Sequence, residues 1–227
     1  MGEYYKWVNI DRKEFIRPTD FGFGPQWHNS TYWKCDVMNA LRDLMTKEWK
    51  GCRVFWMGDE GRLPDPIESD FFAVMKRNID ELGYERGGMN ETVCETYKNV
   101  SCLFKAAEKR ASEKILIDIA YLTKGEENEV INEYGIDIRD PFKGMFQRDG
   151  TEFRFTVNKT KGLAYSFETT SVQFADGEES TIFDPLPHFL GYGRLYDEPG
   201  AWIGDIIEFT DELPEGVTLL DSVTLIW

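Results

Sequence analysis

The segment 153–167 has the sequence FRFTVNKTKGLAYSF. Apolar residues occupy every second position on both sides of the polar run 158–162, which ends in Gly162. An apolar period of two is typical of a half-buried β-strand, and a polar run that ends in glycine is typical of a turn. The segment therefore predicts an antiparallel hairpin in which strands 153–157 and 163–167 pair.

The chain that follows the hairpin keeps the pattern of a sheet. The apolar runs 202–209 and 217–227 are separated by the turn sequence 213–216. Short strands that are joined by such turns predict an antiparallel β-meander over residues 130–227.

The chain before residue 124 is dominated by a helical period. Apolar residues recur there at spacings of three and four, which places them on one face of a helix. Asp65 and Pro66 supply a capping residue and a first-turn proline for one of these helices. Helices are expected over residues 37–49, 67–82 and 90–111, and short strands over residues 5–8 and 53–57.

These patterns predict an α+β protein. We expect a helical N-terminal half, packed with an antiparallel β-meander in the C-terminal half. The charged run 124–129 is the expected boundary between a helix-rich part, residues 1–124, and a β part with an acidic surface, residues 130–227. Both parts are expected to belong to one compact unit, because 227 residues with 41% hydrophobic content can bury one core.

The charge of the chain is strongly asymmetric. It carries 41 acidic and 26 basic residues, for a net charge of −15. Residues 165–227 hold thirteen of the acids and a single base, Arg194. Affinity for nucleic acid comes mainly from lysine and arginine, so direct binding to DNA or RNA is disfavoured. An acidic surface favours a basic protein as the partner.

Several classes of protein are disfavoured by missing motifs. No apolar run approaches the roughly 18–20 residues of a membrane span, and no signal-peptide pattern is present, so we expect a cytoplasmic protein with no membrane contact. The Gly22-Phe23-Gly24 and Gly191-Tyr192-Gly193 sequences lack the third glycine of a dinucleotide-binding loop, and no cofactor is expected. Cysteine spacing favours buried, reduced thiols over a metal site or disulfides, for Cys35, Cys52, Cys94 and Cys102.

An enzymatic interpretation depends on four residues. His28 and His188 are the only histidines, and histidine is the side chain most often used for proton transfer near neutral pH. Asp59 and Glu60 follow a predicted buried strand, and strand ends project side chains into clefts. These four residues are the candidates for an acid–base or metal-assisted site, although no complete catalytic motif accompanies them.

A binding interpretation depends on the acidic residues of the C-terminal part. Carboxylates spaced over a folded β-surface can imitate a phosphate backbone and occupy a basic groove. The alternative is that these acids only keep the protein soluble. The candidate partner-binding residues are Asp176, Glu178, Glu179, Asp197, Glu198, Asp211, Glu212 and Glu215.

Certain stretches resemble a known group of proteins. They are residues 5–9, 15–16, 18–21, 49–51, 58–60, 191–193 and 199–205. These stretches are similar to uncharacterised proteins of phages, prophages and mobile elements of Gram-positive bacteria. The group has no assigned activity. Small acidic proteins of mobile elements are often inhibitors of host defence, so the resemblance implies an anti-CRISPR or other anti-defence role.

The sequence therefore leaves two functional hypotheses. The leading one is a non-enzymatic acidic protein that inhibits a basic, nucleic-acid-binding effector by occupying its binding surface. The alternative is a metal-dependent hydrolase or nucleotide-processing enzyme that uses Asp59, Glu60 and a histidine. The oligomeric state stays open.

Overall fold

The structure is a computed structural model that describes residues 2–82, 88–110, 113, 145–194, 196 and 198–225. The α-helices with defined bounds are α1 (Asp36–Thr46), α2 (Asp70–Leu82), α3 (Met89–Thr96) and α4 (Leu186–Leu190). The strands are β1 (Tyr5–Asn9), β2 (Glu14–Ile16), β3 (Val54–Gly58), β4 (Lys98–Asn99), β5 (Phe155–Asn158), β6 (Leu163–Ser166), β7 (Ser171–Phe174), β8 (Glu179–Ser180), β9 (Gly191–Tyr192), β10 (Ile207–Thr210), β11 (Thr218–Leu219) and β12 (Ser222–Leu225).

The largest sheet has five strands in the order β4-β2-β1-β3-β9. Its middle is antiparallel, whereas the pairs β2 with β4 and β3 with β9 are parallel. Strand β9 comes from the C-terminal part of the chain, so this sheet joins both ends of the sequence.

Both faces of this sheet are covered. Successive side chains of a strand point to opposite faces, and β1 shows this with Trp7 on one face and Val8 on the other. Trp7 and Trp56 pack with apolar residues of α1 and α4. Val8 and Phe55 pack instead with apolar residues of α2 and α3. This alternation explains why β1 and β3 are buried along their whole length.

The C-terminal part forms two smaller sheets. One has the order β10-β5-β6-β11 and the other has the order β12-β7-β8. The predicted hairpin is confirmed, because β5 and β6 pair antiparallel with Val157 opposite Ala164. One face of the four-stranded sheet packs on α1 through Tyr165, Ile207 and Phe209.

The α+β class is confirmed, but the predicted arrangement of a helical N-terminal half and an antiparallel β-meander in the C-terminal half is wrong. Four strands of the largest sheet lie in the predicted helical half, and α4 lies within the predicted meander. All three sheets are mixed, because β11 pairs parallel with β6 and β12 pairs parallel with β7. The local period of two predicts that a segment is a strand, but it contains no information on which distant strand pairs with it.

The predicted helix over residues 90–111 is too long. Helix α3 ends at Thr96, and β4 and two short 3-10 helices follow it. Asn99 is fully buried, donates to Asp20 Oδ2 at 2.8 Å and accepts from the backbone N–H of Ser101 at 2.9 Å. Those contacts hold the chain in an extended form after Tyr97, although the apolar spacing continues.

Two other helix predictions are confirmed with shorter bounds. Helix α2 begins at Asp70 rather than at Ile67, and α1 ends at Thr46 before the predicted end at Trp49. The expected boundary at 124–129 lies outside the described residues, so the division into parts stays a prediction. None of the helices in the described ranges is long and apolar enough to cross a membrane.

The cysteine prediction is correct in part. Burial raises the pKa of Cys35 to about 11 and that of Cys102 to about 12. Cys52 is half-buried, and Cys94 is exposed. None of the four cysteines forms a disulfide in the described part of the chain.

A buried ion pair connects the helical and sheet layers. Arg42 of α1 donates from Nη2 to Asp184 Oδ2 at 2.5 Å, and the two side chains are 4% and 0% exposed. Tyr165 donates its hydroxyl to Asp184 Oδ1 at 2.6 Å, and the N–H of Leu186 donates to the same atom at 2.8 Å. Burial and the nearby Asp184 carboxylate raise the pKa of Tyr165 well above its usual value.

We expect the replacement Asp184→Asn to destabilise the protein by about 3–5 kcal/mol, because it leaves the buried Arg42 charge without its counter-ion. The matched control is Asp80→Asn, since Asp80 forms an ion pair with Lys76 at 2.6 Å but is 60% exposed. That change should cost less than about 1 kcal/mol. Urea unfolding of the three proteins measures both values, and equal losses would contradict a structural role for Asp184.

Candidate functional site

The thirteen acids of residues 165–227 fall into two classes. Four of them form ion pairs with bases that precede residue 165 in the chain. These pairs are Glu168 with Arg154 at 2.8 Å, Asp184 with Arg42 at 2.5 Å, Asp205 with Lys161 at 2.7 Å, and Glu208 with Lys159 at 3.1 Å. The formal charge of this segment therefore overstates the charge that its surface presents.

The remaining described acids are exposed, and none of them forms an ion pair within the described ranges. They are Asp176, Glu178, Glu179, Glu198, Asp211, Glu212, Glu215 and Asp221. Seven of these residues belong to the predicted partner-binding set, and Asp221 does not belong to it. Asp197, the eighth predicted residue, lies outside the described residues. The charge of these side chains is available to a partner.

The unpaired acids lie in turns and loops of different sheets. Asp176, Glu178 and Glu179, which we call the turn acids, lie at the connection between β7 and β8. Asp211, Glu212 and Glu215, which we call the loop acids, lie between β10 and β11. The acidic surface is thus divided between the ends of two sheets and is not one face of a single sheet.

Hydrogen bonds hold the turn acids in a defined conformation. Asp176 accepts from the N–H of Glu178 at 3.0 Å, and the N–H of Phe174 donates to the carbonyl of Glu178 at 2.8 Å. Gly177 has a φ of 89°, in the left-handed region that favours glycine. The turn therefore presents its carboxylates at little additional cost in conformational entropy.

The loop acids are held in a similar way. Asp211 Oδ1 accepts from the N–H of Arg154 at 3.3 Å, and the N–H of Glu212 donates to the hydroxyl of Thr210 at 3.2 Å. Both contacts fix the start of the loop directly after β10. The loop acids are thus positioned next to the end of that strand.

Asp59 and Glu60 lie in a polar cleft of about 830 Å³. Strands β3 and β9 are parallel, so their carboxyl ends meet at one edge of the sheet, and such edges commonly form ligand sites in α/β sheets. The cleft is lined by Asp59, Glu60, Gly61, Arg62, Leu63, Gly88, Glu91, Tyr192, Gly193 and Arg194. The two predicted acids and the second Gly-x-Gly sequence therefore come together, although 131 residues separate Glu60 from Gly191.

Existing contacts already engage both acids of the cleft. Glu60 pairs with Arg194 at 2.6 Å, and Asp59 Oδ1 accepts from the N–H of Tyr4 at 2.9 Å. Within the described residues, no group of three or more histidine, cysteine, aspartate or glutamate side chains could hold a metal ion.

Glu3 is a buried acid that sequence reasoning missed. It is 4% exposed, and it accepts from the Tyr5 hydroxyl at 2.6 Å and from the N–H of Arg194 at 2.7 Å. A Cβ atom at Gly58 or Gly193 would lie 2.1 or 2.4 Å from Glu3 Oε1. A larger side chain at either glycine would displace the Glu3 carboxylate. At Gly191, the first glycine of the Gly-x-Gly sequence, a Cβ atom would lie 2.5 Å from the backbone carbonyl oxygen of Pro187.

The structure does not bring His188 to the cleft. His188 lies on α4, outside the set of residues that line the cleft. Its Nδ1 atom is buried with no hydrogen-bond partner in the described part of the chain, and burial lowers the pKa of the imidazole below its usual 6.5. His28 lies in the 3-10 helix Trp27–Ser30, and its side chain is outside the described part of the structure.

We expect His188 to make the stability of the protein dependent on pH. The folded protein holds His188 neutral, so the unfolded chain takes up a proton first as the pH falls below about 6.5. The free energy of unfolding should therefore fall more steeply between about pH 7 and pH 5 in the native protein than in His188→Gln. Urea unfolding across this range measures both slopes, and parallel curves would contradict the assignment.

No protein-family model, curated protein or solved structure matches this chain. The similarity to proteins of phages and mobile elements therefore stays a prediction.

Proposed function

We propose that this chain is a non-enzymatic acidic protein that occupies a basic, nucleic-acid-binding surface of another protein. The observation that carries the proposal is that the carboxylates of the turn acids and the loop acids are exposed and form no ion pair with any described residue. Carboxylates held in ordered turns can take the positions of backbone phosphates against lysine and arginine side chains.

The distribution of lysine and arginine residues supports this proposal over the alternative that the acids only keep the protein soluble. Arg154, Lys159 and Lys161 precede or join the strands of the β5–β6 hairpin, and each pairs with an acid of the C-terminal part. None of the described bases pairs with a turn acid or a loop acid. A field of one sign that stays uncompensated in this way steers a partner of opposite charge during association.

The similarity to proteins of phages and mobile elements suggests the class of partner. An inhibitor from such a source would act on a nucleic-acid-binding effector of host defence, such as a CRISPR nuclease. Such an inhibitor would work in the cytoplasm, beside the nucleic acid that the effector binds. Direct binding of nucleic acid by this chain is disfavoured, because its own surface repels phosphate.

The cleft supports a second candidate function. Its volume of about 830 Å³ lies within the range of about 300–1,000 Å³ of ligand sites, and it holds acidic, basic and aromatic side chains. Burial raises the pKa of Tyr192, so its hydroxyl stays protonated and can donate to a ligand. Hydrolysis or processing of a nucleotide with Asp59 and Glu60 is the corresponding enzymatic proposal.

We expect replacement of the unpaired acids to slow partner binding. A basic partner is first captured from a nuclease-rich lysate at low salt and identified by mass spectrometry. The turn-acid variant (Asp176→Asn, Glu178→Gln, Glu179→Gln) or the loop-acid variant (Asp211→Asn, Glu212→Gln, Glu215→Gln) should then lower the association rate by roughly tenfold or more. Stopped-flow measurements at low and high salt test this, because screening shortens the Debye length from about 10 Å at 0.1 M to about 3 Å at 1 M.

The matched control removes three exposed acids of the N-terminal part that form no ion pair with a described residue: Glu68→Gln, Glu95→Gln and Glu108→Gln. Buried or paired acids of the N-terminal part are unsuitable as controls, because their replacement would also destabilise the protein. Asp43 is an example, since it is 1% exposed and pairs with Lys47 and Arg148. Equal slowing by all three triple variants would indicate a net-charge effect without a docking surface. An unchanged rate in both test variants would contradict the proposal.

A separate measurement tests the second candidate function. If the cleft is catalytic, Asp59→Asn should lower turnover by at least about 100-fold, because a positioned acid or base contributes roughly 100-fold to 10,000-fold. The asparagine keeps the acceptor for the N–H of Tyr4. The control is Asp65→Asn, which removes an exposed acid that does not line the cleft. Absence of turnover on nucleotides and phosphodiesters would contradict the enzymatic proposal.

A further inference from the structure

Strand β10 forms one edge of the four-stranded sheet. It pairs with β5 on one side, and no strand within the described ranges pairs with its other side. An edge strand presents backbone donors and acceptors to any extended chain that approaches it. The direction in which the backbone groups of β10 point decides whether such a chain can bind.

The hydrogen-bond pattern determines those directions. The N–H of Lys159 donates to the carbonyl of Ile206 at 2.9 Å, directly before the first residue pair of the ladder, Ile207 with Asn158. Bonded and non-bonded pairs alternate in an antiparallel ladder, so Glu208 and Thr210 bond to β5. The N–H and C=O groups of Ile207 and Phe209 therefore point away from β5. No contact outside the ladder involves these four groups in the described structure.

A cavity of about 640 Å³ lies along this edge. Residues 206–209 form one side of it, and the end of α1 with the turn at Lys50 and Gly51 forms the other. Its apolar lining includes the buried side chains of Met45, Ile207 and Phe209. The free backbone groups and the apolar lining lie side by side, as required for an added strand with an apolar side chain at every second position.

The charges at the end of β10 indicate what kind of strand fits. Asp211 and Glu212 follow the strand directly, are exposed and form no ion pair among the described residues. A lysine or arginine of an added strand that extends past Thr210 would meet these carboxylates beyond the cavity. The charged residues that line the cavity itself are Lys50, Lys159 and Glu208, and Lys159 pairs with Glu208 at 3.1 Å. A second copy of this chain is disfavoured as the occupant, because it would bring another net charge of −15 to the same surface.

We propose that β10 binds an extended segment of the partner by strand addition, with apolar side chains in the cavity and basic side chains against the loop acids. This inference rests on the proposed function, because it assigns the binding mode of the same acidic surface. Backbone hydrogen bonds to Ile207 and Phe209 would fix the position of the added strand along β10. The loop acids would favour a basic segment over an acidic one.

The test uses a capped nine-residue peptide of alternating lysine and valine, labelled for fluorescence anisotropy, with the native full-length protein. We expect saturable binding below about 1 mM. A glutamate–valine peptide of equal length should bind at least tenfold more weakly, about 1.4 kcal/mol. Amide hydrogen exchange at Ile207 and Phe209 should slow when the lysine–valine peptide is bound.

Two N-methylated isomers of the same peptide separate strand addition from charge attraction. One carries its methyl groups on the valine amides and the other on the lysine amides, so each blocks one edge of the extended peptide. The isomers should differ by at least tenfold in affinity, with the valine isomer weaker if the added strand is antiparallel and the lysine isomer weaker if it is parallel.

Three outcomes would overturn the inference: absence of saturable binding, equal affinities of the two isomers, or a dimer of the chain in sedimentation that the peptide dissociates. Equal affinities of the two isomers, together with tighter binding of the lysine–valine peptide than of the glutamate–valine peptide, would leave the charge-based function intact. If the isomers differ in affinity but the turn-acid and loop-acid variants bind the partner at an unchanged rate, the charge-based function is contradicted and strand addition at β10 is supported.

Discussion

The carboxylate of Asp184 bonds to three separate elements of this protein: α1, β6 and the start of α4. It is fully buried, and a buried charge is tolerated only when its hydrogen-bonding capacity is met. Arg42 of α1, the hydroxyl of Tyr165 in β6 and the N–H of Leu186 at the start of α4 all donate to it. Arg42 also donates to the carbonyl of Trp33 at 2.6 Å. The relative positions of α1, the hairpin and α4 are therefore coupled through one side chain.

Both candidate sites depend on this arrangement. Helix α4 leads directly into β9, whose parallel pairing with β3 forms the edge that carries the Asp59–Glu60 cleft. The contact of α1 with the hairpin sheet sets the width of the cavity beside β10. A buried ion pair stabilises weakly on balance but is costly to break, so its main effect here is to specify which elements lie together.

Burial explains the pairing of two of the acids of residues 165–227, whereas Glu168 pairs with Arg154 although 56% of its side chain is exposed. Asp184 and Asp205 are at most 9% exposed, and each bonds to a base and to a polar side chain. The turn acids and loop acids remain in water, where a carboxylate needs no counter-ion. The described acids of residues 165–227 are chemically similar, and their surroundings distinguish a carboxylate that is bonded within the protein from one that is exposed to solvent.

The hairpin at 153–167 and the α2 helix could be predicted from the sequence, because apolar period, turn residues and capping residues act within about one element. The excess of acid over base is likewise a property of composition alone. Sequence could not indicate that Gly191 and Tyr192 pair with β3, that Glu3 lies beneath Gly58 and Gly193, or that β10 is an edge strand with outward backbone groups. Those features arise from contacts between residues far apart in the chain, and the free energy of such contacts depends on which surfaces the folded protein buries together. Local sequence patterns specify the hairpin and helix α2, and composition specifies the total charge. Which strands pair, and which carboxylates lack an ion pair among the described residues, depends on contacts between residues far apart in the chain, and a local pattern carries no information on those contacts.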